Sequence, residues 1–144
     1  MTKISTVELE WLLERARTHR KEEPVFFRLL FDAWVYTHVP LSDDHPRLRL
    51  VQLRHPEGLL AVPFFISEAK ARFAGRGLVV RTVKFTGREL LTGTQGATFM
   101  LNPNDCGCVL YPEEVDALLR SGTVARVEKI LRTNQKVLSQ RSSN

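Results

Sequence analysis

The residues best equipped for chemistry fall in two short polar runs. Asp43-Asp44-His45 sets two carboxylates and an imidazole side by side, a group able to hold a cation or move a proton. The three are consecutive and precede Pro46, and consecutive side chains seldom converge on one point, so a solvated turn is the plainer reading. Asn102-Pro103-Asn104-Asp105 is the other run. Asn102, Asn104 and Asp105 can present a partner-binding loop, because loops placed by a rigid sheet often carry function. They can equally do no more than satisfy backbone groups at a strand end.

Other chemistry-bearing residues do not assemble into a reaction. Cys106 and Cys108 are one residue apart, too close for a relaxed disulfide, and no Cys or His pair follows at zinc-site spacing. Two reduced thiols beside a short strand are expected, with no metal and no cofactor. His19, His38, His45 and His55 are scattered, and none stands where sequence can argue it to be a base for Ser67 or for either cysteine. Gly93-Thr94-Gln95-Gly96 lacks the Gly-Lys-Ser/Thr ending of a phosphate loop and reads as a connector.

These residues must be positioned by a small fold. The chain has 144 residues, 43% of them apolar and 26% charged, as in one ordinary globular domain. Its longest apolar runs are far too short to span a bilayer, and its first apolar segment contains acids, so no secretory signal and a cytoplasmic location are expected.

Ser5 and Glu8 begin a capping pattern ahead of helical apolar spacing, which predicts a helix over residues 6–19. A polar link follows, and Pro24 suits the first turn of a second helix. Residues 34–39 (WVYTHV) read as a strand ending at Pro40. Residues 47–53 (RLRLVQL) alternate as a strand with one wet face, and residues 59–65 (LLAVPFF) return as its hairpin partner. Ser67 caps a helix over EAKARFA that ends at Gly75 or Gly77. A strand (LVVRTVKF), a Thr86/Glu89 capping box opening GRELL, a buried strand (ATFML), a last short strand (CGCVL) and an acid-started helix from Pro112, closed by Gly122, complete the order. The fold class is α+β: a central, mainly antiparallel sheet with helices against one face.

That order of elements resembles the SseB family of bacterial proteins. The residues that carry the resemblance are Val39-Pro40, residues 60–67 (LAVPFFIS), residues 71–74, residues 87–91 (GRELL), Leu101-Asn102-Pro103 and residues 111–119 (YPEEVDALL). The resemblance implies a compact α+β domain over residues 1–122. It brings no catalytic residues, since the family has no generally agreed enzymatic activity. Many members carry a second domain; here residues 123–144 read as a basic tail.

Charge is unevenly placed. Residues 120–144 hold six bases and one acid, which is the whole formal charge of +5. The tail has apolar residues at helical spacing, with Arg126, Lys129 and Arg132 as its candidate contacts. Residues 1–119 are neutral in sum, which argues against strong nucleic-acid binding by the folded body. A non-enzymatic protein-binding domain is expected, in its concrete form an immunity protein that neutralises a non-nuclease bacterial toxin. The alternatives are an adaptor that meets nucleic acid or anionic membrane through the tail, and an enzyme or small-ligand sensor with a pocket that sequence does not display.

Overall fold

The computed structural model describes residues 3–41, 49–54, 58, 60–94, 96–103, 105 and 107–120. Asp43, Asp44, His45, Asn104, Cys106, Gly122 and the tail residues Arg126, Lys129 and Arg132 lie outside these residues.

Among the described residues, five α-helices and six strands follow one another in the expected order. Helix α1 (Thr6–Thr18) starts where the Ser5 Oγ accepts the Glu8 N–H at 3.2 Å. Leu9, Leu13 and Ala16 share one face and are buried, and each leucine contributes about 1.5–3 kcal/mol by leaving water. The link to helix α2 (Glu23–Asp32) is itself a 3-10 turn, Arg20–Glu22, fastened to α1 by the Arg15 Nε–Glu22 Oε2 contact of 2.7 Å. Pro24 lies in the first turn of α2, where no N–H is needed.

The strands are β1 (Trp34–Pro40), β2 (Leu53–Arg54), β3 (Leu60–Phe64), β4 (Val80–Thr86), β5 (Phe99–Leu101) and β6 (Cys108–Leu110). Helix α3 (Glu68–Ala74) joins β3 to β4, α4 (Gly87–Gly93) joins β4 to β5, and α5 (Pro112–Arg120) follows β6. Pairing is mainly antiparallel: β1 with β4, β2 with β3, and β5 with β6; β3 and β5 run parallel. The class is α+β, as expected.

Two features depart from the sequence reading. First, the strands form two sheets, β1-β4 and β2-β3-β5-β6. Val62 N donates to Thr98 O and Asn102 N to Phe64 O, so Val62 and Phe64 face β5. Ala61, Pro63 and Phe65 therefore face the opposite edge. Ala61 pairs with Leu53 of β2, whereas Phe65 exchanges two 2.8 Å hydrogen bonds with Tyr36 of β1. Pro63 stands between them and has no N–H to give, so the ladder breaks there. Of the strand expected over residues 47–53, residues 47 and 48 lie outside the described residues, residues 49–52 are not strand, and β2 is Leu53–Arg54, with Val51 donating to His38 O.

Second, the helices do not share one face. Val35, Val62, Phe64 and Ile66 point into the main core with residues of α1, α2, α4 and α5. Their neighbours in the pleat, Tyr36 and Phe65, point the other way and pack with Ala71 of α3. Among the described residues, α3 is the one helix on that side, and the candidate site forms along it.

Candidate functional site

Helix α3 is oriented by its cap. The Ser67 Oγ accepts the Lys70 N–H at 3.2 Å, which fixes Ala71 inward and leaves Ala69, Lys70 and Phe73 outward. Across from them β5 ends at Asn102. Between α3 and this turn lies a groove of about 410 Å³, lined by Phe65, Ala69, Lys70, Phe73, Asn102 and Asp105. A smaller hollow of about 150 Å³ continues past Lys70 towards Glu10 and Arg17 of α1.

Asn102 is the rigid corner. It is only 2% exposed and has φ of 47°, left-handed backbone that asparagine tolerates better than most residues. Its N–H goes to Phe64 O at 2.9 Å, its Oδ1 lies 3.4 Å from Ile66 N, and its carbonyl accepts from both Asp105 N and Gly107 N at 2.9 Å. One residue thus locks the ends of the parallel strands β3 and β5 and shapes the turn that carries Asp105. The left-handed conformation turns the chain without a glycine.

Lys70 joins three elements. Its Nζ lies 3.0 Å from Asp105 Oδ2 and 3.2 Å from Glu10 Oε1. The hydrogen bond to Asp105 is the main force holding the lysine above its ordinary pKa; partial burial opposes it and Glu10 adds to it. Such a lysine stays an ammonium, so it suits a charged clamp and not a nucleophilic amine. All three charges are partly solvated, and each pair is worth at most about 1 kcal/mol.

Of the residues singled out from sequence, Asn102 and Asp105 meet in the groove. Ser67 serves as a helix cap. The His38 ring nitrogen Nε2 sits 2.7 Å from the Ala71 carbonyl, and Cys108 is buried in the main core. Gly93 and Thr94 finish α4, with the Thr94 hydroxyl donating back to Leu90 O. Among the described residues no three His, Cys, Asp or Glu side chains are grouped to hold a metal.

Sequence reading missed Lys70, Phe73, Phe65 and Glu10. The Ser67 cap was a usable signal, because it fixes which face of EAKARFA turns outward. It also missed a local charge: between Glu68 and Glu89 there are six bases and no acid. Summing charge over residues 1–119 hid this run.

Compared with known families, residues 9–117 match the SseB protein N-terminal domain. The chain belongs to the SseB family. The matched SseB domain runs from within α1 to within α5 and contains every groove residue named above. The segments that carry the resemblance have structural roles in this chain: LAVPFFIS supplies the Pro63 break, the Phe65 floor and the Ser67 cap, GRELL supplies the Gly87 crossing, and Leu101-Asn102-Pro103 supplies the corner. No curated protein and no solved structure matches the SseB domain of this chain. No described helix is long and apolar enough to cross a membrane.

Proposed function

We propose that this SseB domain is a non-enzymatic protein-binding module whose partner seats an apolar side chain in the groove beside Phe73. The observation that carries the reading is the apolar surface around the groove. Phe73 lines the groove and is 65% exposed, and Leu78, Val79 and Leu41 are exposed as well. Backbone hydrogen bonds fix the chain that follows Phe73: Arg76 N to Phe73 O, Leu78 N to Gly75 O and Leu41 N to Val79 O. An apolar groove with Lys70 and Asp105 in its lining is the usual anatomy of an interaction site. An exposed aromatic anchor on a rigid frame is the usual energetic centre.

The concrete form of this function is an immunity protein that occludes a bacterial toxin. That toxin is not a nuclease, because nuclease inhibitors commonly present acidic surface in imitation of the nucleic-acid backbone, and this chain is basic.

The test is hydrogen exchange on the purified complex with the partner isolated from the source organism. The reading expects slowed exchange in α3 and at the residue 102–105 turn, retained when the chain is cut after residue 122. Protection that vanishes with residues 123–144 supports binding through the basic tail instead. A small molecule that fills the groove and excludes the partner supports a ligand sensor.

A further inference from the structure

A second surface lies on β4. The β1–β4 ladder is phased by its end bonds, Leu41 N to Val79 O at 3.1 Å and Gly87 N to Ala33 O at 3.0 Å. With the register Val35↔Phe85, Thr37↔Val83 and Val39↔Arg81, the odd residues of β4 direct their backbone groups to β1. The even residues Val80, Thr82, Lys84 and Thr86 direct theirs away. Thr86 obeys this phase: its N–H goes outward to Glu89 Oε1 at 2.8 Å. Among the described residues, Val80, Thr82 and Lys84 have no backbone partner on that side. β1 offers no such edge, since Tyr36 and His38 already bond Phe65 and Val51.

The charged side chains of β4 itself, Arg81 and Lys84, are both basic, and the Glu89 carboxylate closes the edge at its Thr86 end. Of the six bases between Glu68 and Glu89, Lys70 and Arg72 pair with Glu10, Asp105 and Glu68. Arg76, Lys84 and Arg88 stand over the rings of Phe73, Trp34 and Phe31 at 4.6–5.3 Å. No described carboxylate lies in ion-pair distance of these three or of Arg81. Basic side chains on an edge strand resist pairing with a second copy of the same strand, because like charges meet. An acidic strand meets no such repulsion.

We infer that the free edge of β4 takes an extended, acidic segment of a partner protein as an added strand. Val80, Thr82 and Lys84 supply the backbone donors and acceptors, which give affinity with little regard to side chains. Arg81 and Lys84, on opposite faces of the strand, select for acids on both faces of the incoming segment. This surface is separate from the groove, and its test is independent of Phe73.

The probe is a fluorescent, end-blocked peptide of about ten residues of alternating Glu and Val, compared with a Lys-Val peptide and an oligothymidylate. Binding to the full chain is read by anisotropy across a salt series, with amide exchange followed at Val80, Thr82 and Lys84. The acidic peptide is expected to bind, to protect those three amides, and to weaken with salt. Thr82→Pro removes an outward N–H without touching the β1 ladder and should weaken binding by about tenfold. Should Thr82→Pro lower the melting temperature, Lys84→Glu replaces it and should weaken the acidic peptide while admitting the Lys-Val peptide. The inference is overturned by no binding of the acidic peptide at millimolar concentration. It is also overturned by protection confined to α3, by oligothymidylate binding in place of the peptide, or by binding indifferent to Thr82→Pro in a folded protein and to Lys84→Glu.

Discussion

Asn102 Oδ1 lies 3.4 Å from the Ile66 N–H, a side-chain tie that spans 36 residues of chain and closes the end of the β3–β5 pair. The same asparagine holds a left-handed backbone. The two roles separate by substitution. Asn102→Ala loses the acceptor and strains the backbone; Asn102→Gly loses the acceptor alone. A buried donor left unsatisfied costs about 1–3 kcal/mol, and the left-handed strain of alanine adds about 1–2 kcal/mol. Denaturant melts should therefore rank wild type above Gly and Gly above Ala. Equal stability of the two variants would show that the backbone angle carries no cost.

Gly87 opens α4 where it crosses α2. A Cβ at this position would overlap the Leu30 carbonyl, which is backbone and cannot swing aside. Gly87→Ala should destabilise by several kcal/mol, roughly as severe overpacking does. Gly93, at the other end of the same helix, has open space around it. Gly93→Ala should be neutral or stabilise by about 0.5–1 kcal/mol through reduced chain entropy. Thermal melts of the two variants check the crossing.

The Thr86 cap gives α4 a pH dependence. Glu89 Oε1 accepts the Thr86 N–H, and this backbone bond, followed by the hydroxyl, holds the Glu89 carboxyl below the usual glutamate range. Because its folded pKa is depressed, the contribution is present above the unfolded pKa and is lost as pH falls through the folded one. The protection factors of the amides at the start of α4, with the intrinsic pH dependence of exchange divided out, should fall below about pH 4, and Glu89→Gln should abolish that fall. Identical acid profiles for the two proteins would contradict the assignment.

The local parts of this fold were legible because their causes are local. Thr86 and Glu89 are three residues apart, and so are Ser67 and Lys70, so a capping pattern read from sequence translates directly into a hydrogen bond. The split sheet was not legible. It depends on which edge Pro63 faces, and that follows from β5 pairing with β3 from 37 residues away. The opposite placement of α3 has the same origin, since Phe65 and Tyr36 find each other only through the long-range bridge. Half of the site was visible as a turn-forming run at Asn102 and Asp105. The other half was not, because Lys70 gathers Glu10 and Asp105 from 60 and 35 positions away. The helix EAKARFA was legible but its facing was not: Ala71 takes the buried position and Phe73 is left in solvent.

The central claim is that Phe73 is the anchor of a protein interface. Its most direct test is photo-crosslinking in the source organism, with benzoylphenylalanine in place of Phe73 and, as control, in place of the exposed Arg28. The account predicts one discrete protein adduct from position 73 and none of that species from position 28. It also predicts that the purified partner loses about tenfold or more in affinity for Phe73→Ala. No protein adduct at position 73 would contradict it, and so would turnover of a substrate that Lys70→Ala or Asp105→Ala abolishes in a folded chain.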